Sequence, residues 1–181
     1  MRKFFWFLNK YLMVPMFRLG LGAVICNPIS GYIMVLKVRG RKSGKLRFTP
    51  VNYAIYRGAV YCVSGWRKTS DWYKNLMAAA EIEVLLPGRS IFGRVAEEND
   101  PETRRLVIRQ VLKNAGFAGF FEGYNPWKIS DADLLPKIAD LPLVKITPSG
   151  LGSGADDPSG WEWIIAGLLL VLVIVLLIVL L

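Results

Sequence analysis

Six short apolar runs, each cut off by a turn signal, constrain the fold of this chain more than anything else in it. They are Ile33–Arg39, Arg47–Tyr56, Ala59–Ser64, Ile82–Leu86, Ile91–Ala96 and Leu143–Thr147, rich in the β-branched and aromatic residues that favour strands. Arg57-Gly58 and Pro87-Gly88 separate two pairs of them as hairpin turns. Runs this short at hairpin spacing predict a small barrel rather than a sheet built on βαβ crossovers. Helices are expected at its flanks. One spans Asp71–Ala79 behind a Ser70 or Asp71 cap, one opens at Asp100-Pro101-Glu102 and runs to about Asn114, and a short one starts at Ser130-Asp131-Ala132-Asp133.

The chain divides by composition. Residues 1–28 are basic and aromatic, with Arg2, Lys3, Asn9 and Lys10 clustered on a helical wheel against a broad apolar face. That pattern suits either a helix in a membrane interface or one packed on the domain itself. Residues 29–148 hold the barrel, and 149–160 form a Gly/Ser-rich linker spanning about 20 Å. Residues 161–181 open with Trp161 and Trp163 and continue from Ile164 to Leu181 without a polar side chain. At 1.5 Å per residue that run rises roughly 27 Å, so a transmembrane helix is expected, with the barrel on the cytoplasmic side of the cell membrane. Lipid contact is expected through this helix and through the N-terminal one.

The net charge of +9 is unevenly spread. Residues 1–70 contain thirteen Lys or Arg and no acid, and residues 1–150 carry 23 cations against 11 acids, or +12. Such a field attracts polyanions; no nucleic-acid-binding motif accompanies it, so no nucleic-acid partner is expected. The chain has no His, which removes the usual general base and the commonest metal ligand. Cys26 and Cys62 stand far apart without metal or redox spacing and read as buried thiols, and no metal site is expected.

Between the first two strands lies Arg39-Gly40-Arg41-Lys42-Ser43-Gly44-Lys45-Leu46-Arg47. Gly40 and Gly44 permit positive φ, so backbone N–H groups can converge, while Arg41, Lys42 and Ser43 offer donors to a phosphate or carboxylate. A solvated hairpin turn has the same composition.

G-R-K-S-G-x-x-R-x-x-P across Gly40–Pro50, followed downstream by W-Y-x-N-L at Trp72-Tyr73-Lys74-Asn75-Leu76, resembles the deazaflavin-dependent nitroreductase family over roughly residues 10–148. The resemblance implies an α+β fold, a small split β-barrel of about six mainly antiparallel strands with flanking helices, binding coenzyme F420, with FMN the alternative on similar barrels. It implies that Arg41, Lys42, Ser43 and Gly44 hold the phosphate and acidic tail, helped or braced by Arg47. Thr49 and Pro50, the Ser64 hydroxyl and the loop bearing Trp66 would meet the ring, with Trp72 and Asn75 completing the pocket wall. For Trp72 and Tyr73 plain helix-to-barrel packing competes with that role. The loop before the second motif is shorter and more charged than in many relatives. Tyr124 stands where relatives carry substrate-facing tyrosines and is the candidate proton donor, against a simple aromatic loop over the barrel mouth. The expected activity is hydride transfer from reduced F420 to a lipophilic acceptor such as a quinone or nitro compound, by a membrane-anchored oxidoreductase. A non-catalytic carrier of a deazaflavin or lipid-like ligand, or an FMN-binding reductase, are the alternatives, and homodimerisation is left open.

Overall fold

Strand β1 (Ile33–Arg39) buries residues on both of its faces. Met34, Leu36 and Val38 point into a barrel, whereas Val35 points outward beneath Phe17 of the N-terminal helices. The computed structural model describes residues 6–116, 125, 127–154 and 161–180, the last group without side chains for 161–163. Its strands β2 (Leu46–Tyr56), β3 (Ala59–Val63), β4 (Glu81–Leu86), β5 (Arg89–Glu98) and β6 (Leu143–Leu151) close with β1 in the order β1-β2-β3-β6-β5-β4. Every neighbouring pair is antiparallel, including the β1–β4 seam. Arg57 and Gly58 join β2 to β3 with φ of 47° and 76°, the left-handed pair that a two-residue hairpin turn requires.

The helices are α1 (Val14–Arg18), α2 (Gly22–Ile25), α3 (Asp71–Met77), α4 (Pro101–Lys113), α5 (Asp131–Ile138) and α6 (Trp161–Leu180). A π-helical turn, Asn9–Met13, leads into α1, and a 3₁₀ turn, Arg67–Thr69, precedes α3. In α4 the Asp100 carboxylate accepts the Thr103 N–H at 2.9 Å, and Pro101 occupies the first turn. Val107, Ile108, Val111 and Leu112 lie on one face and pack on the outside of β2 and β3 with Leu134 and Ile138 of α5. Inside the barrel, Tyr73 and Leu76 of α3 plug one end against Met34, Leu36, Val84 and Ile146. Removing the Leu76 side chain would cost about 2–5 kcal/mol by emptying that plug.

β6 extends past the expected Thr147 to Leu151. Pro148-Ser149-Gly150 carries little strand propensity, but β5 pairs it through Phe92 and Gly93 across a register shift. Ser70 caps α3 without a side-chain hydrogen bond to that helix, because its hydroxyl is shared with Ser64. Cys62 is fully buried, and burial pushes its thiol up to about 12; Cys26, half-buried, donates to the Ile33 carbonyl.

The expected transmembrane helix is overturned. Among the described residues no helix is long and apolar enough to cross a membrane. Helix α6 forms over Trp161–Leu180, but it does not qualify as such a span. The placement of the chain in the cell membrane with its barrel on the cytoplasmic side, and the lipid contact through this helix, fall with it.

Candidate functional site

The β1–β2 turn is fastened mostly to itself. Gly40 N–H donates to Lys45 O at 2.9 Å, and Gly44 N–H to Gly40 O at 2.8 Å. Gly44 takes the expected positive φ (64°). Gly40 does not, but a Cβ there would stand 2.9 Å from Ser43 Oγ, so it is glycine for close approach. The backbone N–H groups of Gly40, Arg41, Gly44 and Lys45 are all engaged within the protein, so the loop is not a simple nest of free donors.

Arg41 faces α3. Its guanidinium donates to Asn75 Oδ1 at 2.9 Å and to Asp71 Oδ1 at 3.0 Å, and its own N–H reaches Asn75 Oδ1 at 3.1 Å. The Asp71 carboxyl is held below its ordinary range by these hydrogen bonds and by the Arg41 charge. Among the described residues neither Lys42 nor Arg47 enters an ion pair. The three cations therefore separate into one brace and two open charges.

These groups line a cleft of about 490 Å³ with Ser43, Phe48, Thr49 and Trp72. A second cleft of about 400 Å³ lies beside it, sharing Thr49 and Trp72 and lined further by Pro50, Val51, Trp66, Val111 and Leu112. One end is cationic and the other apolar. The site residues expected from the sequence fall into both: Arg41, Lys42, Ser43, Arg47 and Asn75 in the first, Pro50 and Trp66 in the second, with Thr49 and Trp72 common to them. Gly44 shapes the turn without lining either cleft. Ser64 is fully buried; its hydroxyl donates to Arg67 O at 2.7 Å and meets Ser70 Oγ at 2.9 Å. It folds the 64–70 loop instead of facing the cleft. Tyr124 lies outside the described residues.

That loop is tied to the barrel by a second brace. Lys68 Nζ and Tyr73 Oη both donate to Glu97 Oε2, at 2.9 and 2.7 Å. Burial and then Glu97 push the Tyr73 hydroxyl up to about 12. Burial alone would raise Glu97, but the hydrogen bonds from Lys68 and Tyr73 outweigh it and hold the carboxyl below its usual value. Sequence reasoning missed Val111, Leu112 and Ala115 of the α4 end, Asn9, Asn52 and Leu141, all of which line the apolar cleft. Val111 and Leu112 sit on the helix's apolar stripe, and Asn9 on what reads as a solvated polar face; neither signal separates a site from a surface.

On this closed antiparallel barrel one groove thus joins a cationic end, with donors for acid groups, to an apolar end walled by tryptophans. The family model of F420H(2)-dependent quinone reductases matches residues 14–124, and the chain belongs to that family. It is an F420-dependent oxidoreductase, and its cofactor is coenzyme F420. Among solved structures it is similar to an F420-H2 dependent reductase (19% identity, 63% of this chain and 92% of that one, TM-score 0.41). It is also similar to a conserved hypothetical protein from Mycobacterium tuberculosis (16%, 67% and 76%, TM-score 0.49) and a FAD-binding protein from Mesorhizobium loti (14%, 71% and 86%, TM-score 0.41). No curated protein matches the chain.

Proposed function

We propose that the chain reduces a quinone-type acceptor, with the F420 tail at the cationic end of the groove and the deazaflavin ring at the apolar end. The observation that carries this reading is the continuity of two clefts of opposite character through Thr49 and Trp72. Lys42 and Arg47, with the Ser43 hydroxyl, are the groups that hold the acid tail, since charge-assisted contacts to such anions need cations that are not already paired. Arg41 acts behind them by fixing the turn to α3. Pro50, Trp66, Trp72 and Leu112 bound the ring and keep water from it.

Bound F420H2 supplies the hydride; the chain supplies binding, orientation and a dry face. The field of +12 over residues 1–150 favours a polyanionic cofactor over a singly phosphorylated flavin. The test is a fluorescence titration of the full chain with F420 across a salt series, followed by quinone turnover with F420H2. We expect affinity to fall roughly tenfold between about 0.05 and 0.5 M salt, and a quinone to be reduced in proportion to F420H2 consumed. Salt-independent binding would overturn the tail assignment, and cofactor binding without quinone turnover the acceptor.

A further inference from the structure

A third hollow of about 530 Å³ lies between the N-terminal helical segment and the start of β2. Trp6, Asn9, Lys10 and Val14 form one wall, and residues 46–50, Arg47 among them, the other. It is continuous with the groove already described: Asn9, Thr49 and Pro50 line both this hollow and the apolar cleft. Its volume falls in the ~300–1,000 Å³ range of small-molecule sites. Trp6, with Lys10 Nζ 4.9 Å from its ring centre, and Leu46 leave 59% and 42% of their surface exposed, apolar area that a chain-like ligand would cover.

Asn9 opens the π-helical turn, in which the Val14 N–H donates to the Asn9 carbonyl. Pro15 explains the wide turn: it has no N–H for the Tyr11 carbonyl four residues back, and its ring crowds that carbonyl. Among the described residues the half-buried Asn9 side-chain amide has no hydrogen-bond partner. It stands where the two cavities meet, with an N–H₂ that can donate to a carbonyl.

We propose that this hollow seats an apolar chain carried by the quinone acceptor, and that Asn9 donates to the acceptor's carbonyl at the junction with the ring cleft. The proposal rests on the quinone reading above and adds where the acceptor lies and which residues select it. Continuity with the ring cleft argues for the acceptor as occupant, since Asn9, Thr49 and Pro50 border both spaces and a ring held in one can pass its substituent into the other. Trp6 and Asn9 precede the segment that the family model covers, whereas the facing wall lies within it and shares Arg47, Phe48 and Thr49 with the cationic cleft.

The test compares a methylated benzoquinone with the same ring bearing a decyl chain, by calorimetric binding to the full chain and by F420H2-dependent turnover. Each buried methylene is worth about a fourfold gain in affinity, so we expect the decyl quinone to bind at least about tenfold tighter to the wild type. In a Trp6→Ser, Leu46→Ser double variant that ratio should fall to near one, with affinity for F420 and for the chainless quinone unchanged. The double variant also controls for decyl chains settling on exposed α6, which would leave the ratio intact. Asn9→Leu should weaken both quinones together by about tenfold and leave their ratio alone. A wild-type ratio of one, a ratio that survives the double variant, or equal weakening of both quinones by it would each overturn the groove; unchanged binding by Asn9→Leu would remove Asn9 from it. Chain-selective binding without turnover would support the groove and sink the quinone-reductase reading, whereas turnover without chain selectivity would do the reverse.

Discussion

The two ends of the groove are held in place by the same helix in opposite ways. At the cationic end, α3 reaches outward with Asp71 and Asn75 to grip Arg41 of the β1–β2 turn. At the apolar end it reaches inward: Tyr73 enters the barrel, and its hydroxyl joins Lys68 on Glu97, which pins the 64–70 loop to β5. One brace is solvent-facing and built on a cation that sequence inspection would assign to the ligand. The other is half-buried and built on a tyrosine that inspection would assign to packing. The difference teaches that in W-Y-x-N-L the side chains divide by helical face, with Trp72 and Asn75 on the groove and Tyr73 and Leu76 in the barrel. Residue type alone does not say which cation is free.

The sharpest way to break that contrast is to remove open and braced charges separately. Lys42→Ala with Arg47→Ala should lower F420 affinity by about a hundredfold, the loss of two charge-assisted contacts, with an unchanged thermal melt. A melt that collapses would show these cations to be structural. Arg41→Ala should do less to affinity, about tenfold, but should also lower Tm by about 2–5 °C, since the turn loses its hold on Asn75. Affinity lost with no change in melting would return Arg41 to the ligand.

At the other end, Tyr73→Phe should cost about 1 kcal/mol in chemical denaturation at pH 7. The sign of its pH dependence is fixed by the raised hydroxyl: stability is intact below the unfolded value of 10.0 and drains away as pH climbs to about 12. The variant should lack that alkaline limb. Glu97, held low, contributes stability above its unfolded value of 4.5 that is lost as pH falls below it, and Glu97→Gln should flatten the acid limb. The smallest effect belongs to Asp71→Asn, whose melt should overlay the wild type because the pair it makes with Arg41 is open to solvent. A clear shift there would mean the outer brace is stronger than its exposure implies.

Most of the barrel is legible in the sequence because strand period and turn chemistry are local. Gly58 and Gly88 mark their turns, and the β-branched runs mark the strands. The end of β6 is not, since Thr147 to Leu151 becomes strand only because β5 has a ladder to complete. Lys42 and Arg47 could be proposed from the motif, but the diversion of Arg41 depends on Asp71 and Asn75, 30 and 34 residues away. Ser64 is expected at the groove, yet it is fully buried and its hydroxyl turns back to Arg67 and Ser70, a local bend that no pattern announces. The uninterrupted apolar run after Trp163 led to an expected membrane span, whereas among the described residues no helix is long and apolar enough to make one.

The strand order has a consequence for the order in which this molecule can be made. β6 sits between β3 and β5, although it is separated from β5 by both α4 and α5. Until residues 143–151 leave the ribosome, β3 and β5 each present an unsatisfied ladder, and both loops that frame the groove hang from an open sheet. Such edges invite pairing with other chains. A chain stopped before Leu143 should aggregate rather than bind weakly, and synthesis of a competent enzyme becomes a race between finishing the barrel and meeting another unfinished copy.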